Sequence, residues 1–200
     1  EARNYLTRLR SILQYIDVST SNMEEGSFRC DANISVRPEG ATDLGSKVEV
    51  KNMNSFRSVY RALQYEIERQ MRAVAEGERI VQETRGWVED SGVTVSQRSK
   101  EYASDYRYFP EPDLPPILVD TELISRIEAS IPELPQARKS RFGAQYGLSE
   151  YDADLLTSTR ASADFFEAVM EHKSPAGEAG YRLAKSVSNW MLGELSRLLN

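Results

Sequence analysis

Ser27-Phe28-Arg29-Cys30-Asp31-Ala32-Asn33-Ile34-Ser35-Val36-Arg37 alternates residue by residue, with Phe28, Cys30, Ala32, Ile34 and Val36 on one side and the polar residues on the other. A period of two belongs to a strand with one buried face and one wet face. After a turn-rich connection from Pro38 to Gly45, Lys47, Glu49 and Lys51 alternate with Val48 and Val50 in the same way. The two segments are expected to pair as an antiparallel hairpin that shows its charged faces together.

Upstream, Tyr5, Leu6, Leu9, Ile12, Leu13 and Ile16 recur at three- and four-residue spacing and predict a helix ended by the turn residues Asp17 to Asn22. Downstream, Asn54 or Ser55 can cap a long helix with the stripe Val59, Leu63, Ile67, Met71 and Val74, stopped by Gly77. Ile80 to Val88 and Val93 to Arg98 flank Glu89-Asp90-Ser91-Gly92 and read as a second hairpin. Prolines at 110, 112, 115 and 116 then deny the chain ladder and helix bonds, and a domain boundary is expected just beyond.

From Thr121 onward the pattern is helical. Leu123, Ile124 and Ile127 mark one helix, Pro135 opens another that Gly147 closes, and Ser149 to Asp152 resembles a capping box. The last helix, Tyr181 to Leu199, offers Leu183, Val187, Trp190, Met191, Leu195 and Leu198 to a core. The expected fold is α+β: antiparallel β-hairpins packed with long helices over 1–118, followed by an all-α helical domain over 119–200. The first residue is Glu1, and Ala2 to Leu6 read as helix without a cap ahead of them, so the sequence reads as an excised piece.

Composition narrows function. With 200 residues, Cys30 alone for thiols and His172 alone for imidazoles, neither a disulfide framework nor a Cys/His zinc site can be built internally. His172 is expected at the surface near a helix end. The mean hydropathy of -0.53 and the absence of an 18-residue apolar run oppose a membrane span. A net charge of -6 removes a broad positive field, so any nucleic-acid contact must be local. The fingerprints of phosphate loops, dinucleotide folds and serine hydrolases are missing from the sequence.

Asp31 and Glu49 stand at the centres of the two polar strand faces. Magnesium keeps several waters and takes one or two carboxylates plus substrate phosphates, so these acids, flanked by Arg29, Asn33 and Lys51, can hold a metal–nucleotide complex. The same alternation also describes cross-strand ion pairs on a wet sheet face. Asn52-Met53-Asn54-Ser55, where a strand hands over to a helix, can meet an anion or serve as a plain cap. Tyr102, Tyr106 and Tyr108 among Arg98, Lys100 and Arg107 can stack on a base or clamp a linker. Arg138, Lys139 and Arg141 make a small basic cluster, either a solvated helix face or a tRNA contact.

Longer motifs add a resemblance. Asn22 to Pro38, Glu49-Val50-Lys51-Asn52-Met53-Asn54-Ser55-Phe56, Gln82-Glu83-Thr84-Arg85, Arg98-Ser99-Lys100-Glu101, Asp105 to Pro116 and Ser188-Asn189-Trp190-Met191-Leu192-Gly193-Glu194-Leu195 are similar, in order, to the B subunits of aspartyl/glutamyl-tRNA amidotransferases. The resemblance implies a ligase that uses ATP and Mg2+ to phosphorylate the side-chain carboxylate of Glu on tRNA(Gln) or Asp on tRNA(Asn). Ammonia made from glutamine then displaces the phosphate.

The resemblance also implies a heterotrimeric complex with a glutaminase partner and a small third partner, and no membrane; the missing targeting signals give a cytoplasmic setting as the expectation, with organellar relatives sharing the same motifs. Residues 1–118 would be the carboxyl-terminal part of a cradle like those of glutamine synthetase and guanido kinases. Asp31 and Glu49 would be metal-binding catalytic acids, with Arg29, Asn33, Lys51, Asn52 and Asn54 as phosphate or substrate contacts. Further metal ligands would lie on a preceding portion of the cradle, so the piece alone is expected to be inactive. From another class, a non-catalytic tRNA- or subunit-docking module fits the helical half and the basic cluster.

Overall fold

Alternation between Phe28 and Ile34 survives in the burial of the folded chain, but only Ala32–Ile34 enters a ladder, as strand β1. Before it the backbone turns at Gly26, with φ of 75°, and Phe28 N–H donates to the Asn22 carbonyl. This computed structural model describes residues 1–99, 112–173 and 177–199. It divides into two compact units, Glu1–Thr7 with Ser21–Ile117 and Arg8–Thr20 with Leu118–Asn200. Helix α1, Ala2–Tyr15, contributes residues to both.

The first unit is built on a four-stranded mixed sheet in the order β1-β2-β3-β4, where β2 is Val48–Lys51, β3 is Glu83–Val88 and β4 is Val93–Ser99. Both expected antiparallel pairs are present, with Asn33 opposite Glu49 in one and Trp87 opposite Thr94 in the other. Between them β2 and β3 run parallel, Glu49 beside Thr84 and Lys51 beside Gly86, and this pairing fuses the two hairpins into one sheet. Helix α2, Phe56–Ala75, makes the connection that parallel neighbours require.

Helix α2 begins at Ser55, whose side chain accepts the Ser58 N–H at 3.0 Å. It ends where Gly77 takes φ of 77°, with Glu78 N–H donating to the Ala73 carbonyl and Gly77 N–H to that of Val74. That pair of bonds is the Schellman closure, for which glycine at C′ removes the left-handed penalty.

Val48, Val50, Met53, Val59, Ala62, Trp87 and Leu6 form the core on the α2 side of the sheet. The expected α2 stripe is corrected by about one residue of rotation. Ser58, Val59, Ala62, Glu66, Gln70 and Ala73 are buried, while Ile67, Met71 and Val74 are at least 40% exposed. Glu66 can face the sheet because Arg69, Gln70 and Thr94 all donate to its carboxylate, with Arg85 Nε 3.6 Å away. A buried charge is tolerated when it is paired and hydrogen-bonded this fully.

The second unit is helical: α3 Thr121–Ser130, α4 Pro135–Tyr146, α5 Glu150–Leu156, α6 Arg160–Lys173, α7 Gly177–Trp190 and α8 Ser196–Leu199. Its core gathers Phe142, Leu156, Ala163, Phe166, Met170, Ala184 and Met191. Pro135 opens α4, Gly147 closes it at φ of 65°, and Ser149 caps α5. The Tyr15 hydroxyl donates to the Thr157 carbonyl at 2.6 Å and anchors the second half of α1 in this unit.

Helix α3 is present as expected, although it buries no residue and Ile124 and Ile127 are 44% and 51% exposed. Two expectations need correction here. Tyr5 is 66% exposed, off the buried side of α1 that holds Leu6. The final helix is interrupted by a π-helical turn, Met191–Leu195, where the Ser196 hydroxyl bonds the Met191 carbonyl at 2.8 Å; beyond the shift, Leu198 points to solvent, as Trp190 does just before it. His172 is exposed near the end of α6, as expected.

Candidate functional site

With Val48 and Val50 packed beneath the sheet, the pleat turns Glu49 and Lys51 to its other face, away from α2. That face carries the expected acid pair. Lys51 Nζ lies 3.8 Å from Asp31 Oδ2 and 3.4 Å from Glu49 Oε1, so one ammonium sits between the two carboxylates. Glu49 is the better held, at 17% exposure, and its Oε2 accepts the Thr84 hydroxyl at 2.9 Å. Asp31 is 36% exposed and Lys51 37%, so water reaches both. Two like charges a few ångströms apart repel, and the lysine offsets that repulsion.

The remaining candidates divide. Asn33 is exposed on β1 directly across from Glu49, and Arg29 is exposed before it. Asn52 takes a left-handed φ of 63° at the end of β2, and its amide lies near Gly86 on β3. Asn54 is drawn elsewhere, its side-chain oxygen accepting the Ser58 hydroxyl at 3.2 Å inside the first turn of α2. Thr84, Gly86 and Gln97 join the open face from β3 and β4. None was singled out in the sequence, although the parity of Gln82-Glu83-Thr84-Arg85 indicates Thr84 once β3 is placed beside β2. Lys100, Tyr102, Tyr106, Arg107 and Tyr108 lie outside the described residues, as does the side chain of Arg98.

The donor set suits a hard divalent cation with a partly open shell. Two carboxylates and the Asn33 amide offer oxygen donors, and among the described residues no group of three or more His, Cys, Asp or Glu side chains could hold an ion. Magnesium completes its octahedron with waters and phosphate oxygens in sites of this kind.

The basic cluster of α4 is not an open cationic surface. Arg138 is 7% exposed and pairs with Asp164 and Glu167, Lys139 pairs with Glu150 and Asp154, and Arg141 pairs with Glu133 and Glu167. Burial alone would lift the Glu167 carboxyl, but Arg141 and Arg138 hold it below the usual carboxylate range. Among the described residues no helix is long and apolar enough to cross a membrane.

A mixed sheet with one face on a helix and two acids, a lysine and amides on the other defines an α+β protein with a charged open face. Residues 1–125 match the family described as the GatB/GatE catalytic domain. The chain belongs to that family.

Over its whole length it is 57% identical to the B subunit of an aspartyl/glutamyl-tRNA(Asn/Gln) amidotransferase from Dehalococcoides mccartyi (strain ATCC BAA-2266 / KCTC 15142 / 195), covering 41% of that protein. It is 55% identical to the protein of the same name from Carboxydothermus hydrogenoformans and 56% identical to that from Thermomicrobium roseum, covering 40% of each. The chain thus spans about two fifths of the length of the curated relatives it matches.

Proposed function

We propose that this chain is part of the synthetase subunit of a tRNA-dependent amidotransferase, and that its open sheet face takes part in carboxylate activation. The observation that carries the reading is the meeting of Asp31 and Glu49 at Lys51 on one exposed face, within the residues that match the catalytic-domain family. The substrates are Glu-tRNA(Gln) or Asp-tRNA(Asn), ATP and ammonia from glutamine. The partners are a glutaminase and a small third protein of the heterotrimer. The first 118 residues are read as the end of a glutamine synthetase-like cradle, and 119–200 as the helical domain that follows it.

In the first step a side-chain carboxylate oxygen attacks the γ-phosphorus and ADP leaves, giving an acyl phosphate. In the second, ammonia attacks the acyl carbon, inorganic phosphate leaves with the bonding pair, and the nitrogen loses a proton to give the amide. Phosphoryl transfer of this kind needs positioning and charge neutralisation more than a protein nucleophile. Asp31 and Glu49 are the residues that would hold Mg2+, which supplies positive charge to the phosphate oxygens. Thr84 fixes the Glu49 carboxylate through its 2.9 Å bond. With an ion on the acid pair, Lys51 would be free to meet phosphate. Asn33 and Asn52 line the same face and Arg29 is exposed ahead of β1, whereas Asn54 supports the start of α2.

The test uses the full-length protein in its assembled complex. Glu49→Gln keeps shape and removes charge, and it is expected to abolish amidation of the misacylated tRNA while glutamine hydrolysis by the partner continues. An unchanged amidation rate would refute the assignment. The docking-module reading draws no support from α4, whose cations are matched by acids.

A further inference from the structure

We infer that Gln97 and Asn52 form a two-amide clamp for the phosphoryl oxygens of the bound nucleotide, and that Gly86 is the residue that makes room for it. The inference rests on the proposed function and adds two residues to its site. Gly86 lies on β3 beside Lys51 of β2, so whatever occupies this spot neighbours the ammonium that bridges Asp31 and Glu49. A Cβ placed on Gly86 would come 2.3 Å from Gln97 Nε2 and 3.1 Å from Asn52 Nδ2. The space that a side chain at Gly86 would take is therefore held by the Gln97 amide, with the Asn52 amide beside it.

The polar atoms nearest that space are the two amide nitrogens, which are donors. Among the described residues neither amide has a hydrogen-bond partner. Two neighbouring amide donors on an open face can serve one acceptor group, and a phosphoryl group beside a lysine is an acceptor of the right charge. Neutral amides also suit a face that must hold a cation on Asp31 and Glu49, since a third and fourth positive charge would compete with it.

The local backbone is arranged to deliver them. Between β3 and β4 the register slips at Thr84/Arg85: Thr84 faces Arg98 and Arg85 faces Ser96, which leaves Gln97 as the extra residue of a bulge. Bulges re-aim side chains, and here the slip turns Gln97 over β3. On the other flank Asn52 adopts the left-handed φ of 63°, a conformation open to Asn at modest cost and rare for larger side chains. A bulge and a left-handed residue on two different strands thus bring two amides to one glycine.

The experiment measures ATP-dependent amidation by the full-length protein in its complex, with Mg2+ present and ATP varied. Gln97→Met keeps length and removes the donor, and KM for ATP is expected to rise about tenfold with kcat little changed. Gln97→Glu puts a carboxylate against phosphate and is expected to raise it further, although at an exposed position either change is harmless to folding. Gly86→Ala displaces the flexible Gln97 amide and is expected to match Gln97→Met. The double variant is then expected to be no worse than either single one, because both remove the same contact.

Unchanged KM in Gln97→Met and Gln97→Glu overturns the clamp, and so does full additivity of Gly86→Ala with Gln97→Met. Glu49→Gln separates the two levels. If it loses amidation while the Gln97 variants behave as the parent, only the clamp falls. If it retains amidation, the functional reading falls and the clamp with it.

Discussion

Glu66 has no exposed side-chain surface, yet it stays ionised. Burial pushes its carboxyl upward, and the hydrogen bonds from Arg69, Gln70 and Thr94 outweigh that and hold it below the usual range. Glu66→Gln keeps the volume and leaves Arg85 and Arg69 facing a neutral amide that presents donors of its own. Breaking a buried pair in this way costs about 3–5 kcal/mol, so a urea titration is expected to show a loss of about 3 kcal/mol. A loss under about 1 kcal/mol would mean that the cluster is not a stabilising pairing. The same residue explains where the sequence misled. Counting apolar side chains favours Ile67, Met71 and Val74, because periodicity gives no credit to a carboxylate whose partners come from α2, β3 and β4. Asp31 and Glu49 were legible for the opposite reason: parity in a short strand fixes the face without knowledge of any partner.

At the scale of elements, the ends of α2 were readable and its pairing consequence was not. Ser55 and Gly77 carry local signals, and both act where the sequence indicates. The parallel pairing of β2 with β3 has no local signal, since the two strands are separated by all of α2 and only the assembled core selects their order. Thr84, Gly86 and Gln97 escaped notice because they join the face through that pairing. The π-helical turn at Met191–Leu195 was equally silent, its extra residue being accommodated by the Ser196 side-chain bond to the Met191 carbonyl. The cap itself is testable. Ser55→Ala removes the acceptor for the Ser58 N–H and leaves an unpaired donor in the first turn, which costs about 1 kcal/mol of stability. Ser55→Asp restores an acceptor and places negative charge at a helix start, so denaturant midpoints are expected to fall for Ala and recover for Asp.

Across the whole molecule, the titrating groups bound stability from both sides. Glu66 in the first unit and Asp152 and Glu167 in the second all have lowered carboxyl pKa values, Asp152 through its bonds from Lys185 and the Ser149 cap. A lowered folded pKa means that the unfolded chain binds the proton first. Their contribution is therefore complete above the ordinary carboxylate range of about 4 and is lost as pH falls through the folded values. At the other end burial pushes the Tyr15 hydroxyl up to about 12, with Arg138 opposing the shift. Here the folded state keeps a proton that the unfolded chain gives up near pH 10, so the Tyr15 contribution is constant below pH 10 and falls as pH rises toward 12. Tyr15→Phe separates level from slope. It leaves the Thr157 carbonyl without its 2.6 Å donor and lowers stability at neutral pH, but it deletes the titrating group. Thermal melts from pH 3 to 11.5 are expected to show the same acid limb for parent and variant, and a flatter alkaline limb for Tyr15→Phe. An alkaline limb as steep in the variant as in the parent would assign the loss to other groups, Tyr146 first, whose hydroxyl is also raised by burial.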